Sequence, residues 1–277
     1  MKKLLAIALF GILGGNSFAQ IKFPQPSPFQ TITQDFGMGK IELSYYRPSA
    51  KGRKVMGDLV PYDKMWRTGA NGSTLIKFTE PVEIMGNKLD TGTYALYTVP
   101  GKKTWEIILN KGNKNWGLDG YKSEEDVARF QITPNKSKQM TETFSFQFSN
   151  MKAESCTLLM SWENTEIAIP INASFRDKLR SQLEEALKNA EKKPYWQAAQ
   201  FYNEYDKNYG KALEYAGKAL EINGKAYWIA LYKAKIEKEM GMKAEALASA
   251  RKAKDLAKEG ENDDYVKMAE ELIKELE

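Results

Sequence analysis

The chain has 277 residues, of which 42% are hydrophobic, 28% charged and 12% aromatic, so it is long enough for two folded domains and too apolar to be disordered. Its 41 Lys and Arg against 36 Asp and Glu leave a formal charge of only +5, too little for an electrostatic nucleic-acid binder. Histidine is absent and Cys156 is the single cysteine, which removes the usual general base, the commonest metal ligand and any intramolecular disulfide.

Taken in chain order, Lys2 and Lys3 precede an apolar run from Leu4 to Leu13 and the small-x-small ending Ser17-Phe18-Ala19. That pattern predicts a secretory signal over residues 1–19, cut after Ala19. The run is much shorter than the roughly 20 residues that cross a bilayer, and no cysteine follows the cut to accept a lipid, so the mature chain is expected free of the membrane, in the periplasm or outside the cell. Cleavage lowers the basic count from 41 to 39 against 36 acids, a mature charge of +3.

Pro24, Pro26 and Pro28 make residues 20–29 an extended lead-in. From 30 to 172 short alternating or apolar runs lie between turn residues: Ile41 to Tyr45, Thr74 to Phe78, Val82 to Met85, Tyr94 to Val99 and Trp105 to Leu109. Val127 to Ile132, Thr143 to Phe148, Cys156 to Trp162 and Glu166 to Ile171 continue the series. Met85-Gly86-Asn87-Lys88 and Ala70-Asn71-Gly72-Ser73 have the composition of hairpin turns. Nine or ten strands without a helix between them predict an all-β sandwich or flattened barrel. Cys156 reads as a buried strand residue.

At Ser174 the period changes. Ser174 and Asp177 look like a capping box, and Phe175, Leu179, Leu183, Leu187 and Ala190 recur at helical spacing, which predicts a connecting helix over 173–193. Beyond Pro194 the chain is alanine-rich and helical in period, with helices expected over 195–208, 210–222, 225–240, 243–258 and 263–276. Ala212-Leu213-x-x-Ala216-x-Lys218-Ala219 superimposes on Ala246-Leu247-x-x-Ala250-x-Lys252-Ala253 at an offset of 34 residues. That is the period of tetratricopeptide repeats, and it makes 194–277 a tetratricopeptide-like all-α region able to dock another protein.

The segment from Tyr45 to Asn71 is the one most concentrated in chemistry. Arg47, Lys51, Arg53 and Arg67 stand beside Tyr46, Tyr62 and Trp66, with Asn71 at the end of the same stretch, a set suited to hold a small anion by bidentate contacts or a ring by stacking. The opposing reading is that Arg53 and Arg67 hydrogen-bond loop carbonyls and pair with Asp58 and Asp63 to pin a long connection. Trp116, in Asn113-Lys114-Asn115-Trp116-Gly117, is the best candidate for a ring that stacks on a glycan, whereas Trp105 and Trp162 read as core. The acids Asp119, Glu124, Glu125 and Asp126 would have to face one another across a cleft to act as a glycosidase pair. No phosphate-cradling loop or thiol metal motif is present, so no cofactor or metal is expected and a binding protein is favoured over an enzyme.

Tyr45-Tyr46-Arg47-Pro48-Ser49, Lys51-Gly52-Arg53 and Trp66-Arg67-Thr68-Gly69-Ala70-Asn71 resemble the motifs of a bacterial domain-of-unknown-function family, number 2911. Gly92 to Leu96, Trp105 to Asn110 and Trp116-Gly117 extend the resemblance, which covers 27–171 and leaves the helical tail outside. It implies an exported bacterial domain, typically from Bacteroidota-like organisms, and carries no activity with it.

Overall fold

The computed structural model describes residues 23–277; the expected signal segment and the first residues of the lead-in lie outside them. Ten strands are followed by six helices. The strands are β1 (Phe29–Phe36), β2 (Gly39–Tyr46), β3 (Thr74–Phe78), β4 (Val82–Ile84), β5 (Asn87–Leu89), β6 (Gly92–Val99), β7 (Trp105–Asn110), β8 (Asp126–Ile132), β9 (Asn135–Ser149) and β10 (Ser155–Ala173). They form a six-stranded sheet in the order β1-β2-β3-β6-β7-β8 and a four-stranded sheet in the order β5-β4-β10-β9. The ladders of the large sheet, and those of β10 with β4 and β9, are antiparallel.

Alternation explains the arrangement. Ile41, Leu43 and Tyr45 of β2 are buried on one face, and Phe144 and Phe146 of β9 meet them from the other sheet, with the Tyr45 and Phe146 rings 4.9 Å apart and edge-on. Two sheets stacked on a shared apolar layer make this a sandwich, not a single closed barrel. β6 and β7 are apolar on both faces because Ala95, Tyr97 and Ile108 form a second, smaller core on the outside of the large sheet, under Met65 and Tyr121. That is why their sequences read as continuous runs instead of alternating ones.

The strands differ from expectation in several places, among them β5, which takes up the second half of the expected turn 85–88, and β9, which starts at Asn135 and not at Thr143. β1 was not anticipated: its burial alternates between exposed and half-buried, an edge strand with little apolar signal. Ala70–Ser73 is no hairpin turn but the end of the long connection between β2 and β3, whereas Met85 and Gly86, both with positive φ, do turn β4 into β5. The two runs expected at 156–162 and 166–171 are one strand, β10, whose register slips on either side of Glu163, a residue with φ 52°.

The helices are α1 (Arg176–Asn189), α2 (Tyr195–Glu204), α3 (Tyr209–Ile222), α4 (Tyr227–Glu239), α5 (Lys243–Glu259) and α6 (Asp263–Leu276). The capping box at Ser174 does not form. α1 starts behind Phe175 with no side-chain cap, because the Ser174 amide donates to the Pro81 carbonyl and Phe175 is buried edge-on to Tyr205. Asn208 and Asn262 do cap, accepting from the amides of Lys211 and Tyr265. The alanines matched at 34 residues are all in the interior, with Ala212, Ala216, Ala246 and Ala250 fully buried, so the small side chains sit where helices approach closely. The chain divides into a β unit (1–79 and 84–171) and a second unit (80–83 and 172–277) that takes in all six helices.

Candidate functional site

The connection between β2 and β3 is irregular, yet almost every turn of it is tied down. The Arg47 Nε donates to the Phe144 carbonyl, Ser49 and Thr143 share a hydrogen bond of 2.8 Å, and the Ala50 and Lys51 amides donate to the backbone and side chain of Glu142. Arg53 donates to the carbonyls of Ala50 and Ser49, closing its own turn, in which Lys51 and Gly52 both have positive φ. Lys51 and Arg53 thus lie in an exposed turn over β9.

Further along, Trp66 pairs with Thr98 through both backbone groups and its indole Nε1 donates to the Gly69 carbonyl. Its ring is stacked on Trp162 at 5.8 Å and edge-on to Trp105 and Phe144. Trp66 is therefore a half-buried extension of the core, with its ring committed to other rings and not offered to a ligand. Trp105 and Trp162 are each only 2% exposed, in keeping with a core role.

Arg67, Asn71, Tyr46 and Trp116 come together. Arg67 Nη1 donates to the Asn71 carbonyl at 2.8 Å, Asn71 having φ 55°. A Cβ placed on Gly72 would lie 3.6 Å from the Tyr46 ring and 3.7 Å from the Trp116 ring, so the two aromatics flank that glycine. A Cβ on Gly117 would touch the Arg67 guanidinium. The loop carrying Trp116 is fastened from beneath: Ser73 Oγ donates to the Gly117 carbonyl at 2.6 Å and is hydrogen-bonded to the Tyr97 hydroxyl, while Asn115 Nδ2 also reaches that hydroxyl. Trp116 itself is 64% exposed. A large apolar ring is thus held out in water on a braced loop, next to a guanidinium.

Of the eight candidates, Tyr46, Arg67, Asn71 and Trp116 share this patch. Arg47 is spent on β9, Lys51 and Arg53 form a separate turn, and Trp66 faces the core. The carbonyl-pinning reading holds for Arg53 and Arg67, but the acidic half of it does not: among the described residues no ion pair joins either arginine to Asp58 or Asp63. Carbonyls lie closer because each arginine folds back on its own turn, within four residues. The supporting residues Ser73, Tyr97 and Asn115 carried no sequence signal, since hydroxyls and an amide in polar stretches are common everywhere.

Two of the four acids are taken up by local partners. Asp126 is committed to Asn110, Tyr121 and Arg129, and Glu125 lies near Lys122 in the short turn before β8. Burial, and then the hydrogen bond to the Asp126 carboxylate, hold the Tyr121 hydroxyl above its ordinary pKa, so it stays a donor within this network. Among the described residues no group of three or more potential ligands is placed to hold a metal ion.

No curated protein and no solved structure matches the chain. A family model does, over residues 27–171, which takes in the whole sandwich apart from the last two residues of β10 and includes every residue of the Trp116 patch and its bracing loops. The chain belongs to the DUF2911 family, proteins of unknown function.

Proposed function

We propose that this chain is an exported binding protein, in which the sandwich offers the Trp116 patch to a ligand and the helices offer a docking surface to another protein. The observation that carries the reading is Trp116, 64% exposed on a loop fastened through Ser73, Tyr97 and Asn115. Leaving such a ring in water forgoes roughly 1.5–3 kcal/mol of burial, and bracing it removes the freedom that a ligand would otherwise have to quench. An indole face flanked by Tyr46 and Arg67 suits a glycan, whose ring stacks on the tryptophan while the guanidinium meets hydroxyls or a carboxylate.

Export is supported by Lys2 and Lys3, the apolar run and the Ser17-Phe18-Ala19 ending. Among the described residues no helix is long and apolar enough to cross a membrane. For the helices, the 34-residue spacing together with the matched burial of Ala212 with Ala246 and Ala216 with Ala250 supports tetratricopeptide-like repeats, whose usual role is to bind other proteins. A glycan array probed with the secreted chain and with Trp116→Ala tests the reading: binding that the substitution abolishes supports a glycan ligand. Binding to no glycan leaves the helices as the working surface and removes the patch from the proposal.

A further inference from the structure

The sandwich also holds a concavity that shares no residue with the Trp116 patch. It has a volume of about 410 Å³ and is walled in part by four separate segments: the turn around Lys54, the β6–β7 connection at Gly101 and Lys102, the start of β9 at Asn135 and Lys136, and the slipped stretch of β10 from Glu163 to Thr165. Lys54, Lys102 and Lys136 come from three of these segments, and among the described residues no ion pair engages any of them. Glu163, the single carboxylate in the wall, has its two oxygens taken by the amides of Val55 and Met56, at 3.0 and 3.3 Å. Two further acids are close without lining the space: Asp63, whose Oδ1 lies 3.7 Å from where a Cβ on Gly101 would stand, and Glu166, which pairs across the strands with Asn135. Three lysines and one already-engaged carboxylate therefore line a common hollow.

The apolar part of the wall is rigid. Tyr62 lies so close to Gly57 that a Cβ there would fall 2.5 Å from its ring, and the Lys102 ammonium stands 6.0 Å from the centroid of that ring. Trp105, almost wholly buried, closes the floor. The slip in β10 is what turns Asn164 and Thr165 to this hollow, at the cost of a left-handed Glu163. Backbone of that kind persists where surrounding structure holds it, and it gathers at binding sites.

We propose that this pocket binds a small acidic saccharide, a sugar of about one or two rings bearing a carboxylate, sulfate or phosphate. The lysines take the anion, the Tyr62 ring takes the sugar face, and Asn135, Asn164 and Thr165 supply hydrogen-bonding groups for hydroxyls. Isothermal titration calorimetry of the full secreted chain with glucuronate, glucose 6-sulfate and glucose 6-phosphate tests this, with glucose and inorganic phosphate as controls. At least one acidic sugar should bind about tenfold or more tightly than glucose, and the binding should weaken with added salt.

The exposed pair Lys102→Ala/Lys136→Ala should lower that affinity by about tenfold or more without changing the melting temperature, and Lys54→Gln gives an independent check. Trp116→Ala should leave it unchanged, so this pocket and the Trp116 patch can fail separately. The proposal is overturned if no acidic sugar binds, if glucose binds as well as the acidic sugars, or if the lysine variants bind as the wild type does. Inorganic phosphate bound as tightly as glucose 6-phosphate overturns it too, because the sugar ring would then contribute nothing.

Discussion

The guanidinium of Arg67 occupies the space that a side chain at Gly117 would need: a Cβ there would fall 2.9 Å from Nη1 and 3.1 Å from Cζ. Two loops distant in sequence thus lock together through an absent side chain, since the same arginine holds the Asn71 carbonyl at 2.8 Å. Gly117 has φ 66°, so an alanine would bring both backbone strain and a collision. Gly52, with φ 72° and open space around it, would bring the strain alone. Gly117→Ala should cost about 2–3 kcal/mol and Gly52→Ala about 1 kcal/mol in urea unfolding. Equal costs would mean that Arg67 yields freely and does not lock the loops.

Beyond its own backbone hydrogen bonds, the turn at 54–57 is fastened to β10 by one side chain. Val55 and Met56 are buried, and their amides have Glu163 as acceptor. Glu163→Ala should destabilise by about 2–3 kcal/mol, because two desolvated donors lose a charged partner. Glu163→Gln, which keeps one acceptor oxygen, should lose clearly less. Chemical denaturation of the pair of variants gives the answer, and a harmless alanine would show that water replaces the carboxylate.

Cys156 is 3% exposed and burial pushes its thiol up to about 11 from the ordinary 9.0. The native protein should resist thiol reagents at pH 8 and react fully once unfolded in guanidinium. Between about pH 9 and pH 11 the unfolded chain releases a proton that the native one keeps, so stability should fall as pH rises through that window. Cys156→Ala should flatten that part of the stability profile, and an unchanged slope would assign it to other groups.

In the helices, Ala216 and Ala250 are fully buried at positions 34 residues apart. Ala216→Leu and Ala250→Leu should each cost about 1–3 kcal/mol by overpacking the seam, and by similar amounts if the two are equivalent. Gly217, inside α3 with open space where a Cβ would stand, should respond in the opposite sense: Gly217→Ala should stabilise by about 0.5–1 kcal/mol. Thermal unfolding of the three variants checks both expectations, and a large difference between the two leucine variants would count against equivalent repeats.

Periodicity alone set the architecture, because burial on one side of a strand or helix leaves a repeat of two or of three to four that local sequence must obey. Hence the change from strand to helix near residue 174 was legible, as were Trp105 and Trp162 in the core and the six helices to within a few residues. The edge strand β1 was not legible because it buries too little to enforce alternation, and the fusion of two runs into β10 was hidden by the slip at Glu163.

The site divides along the same line. An Arg-rich loop and a tryptophan beside glycine were visible as residue types, and the family motifs pointed to the same stretch. That Trp66 turns into the core while Trp116 turns to solvent depends on which hydrogen bonds the two loops find, and only the folded chain decides that. Lys54, Lys102 and Lys136 are scattered over more than eighty residues and read singly as solvated charges. They meet because strand pairing brings the start of β7, the start of β9 and the middle of β10 to one rim, over which the Lys54 loop is tied through Glu163, and such registration is tertiary and encoded by no local pattern.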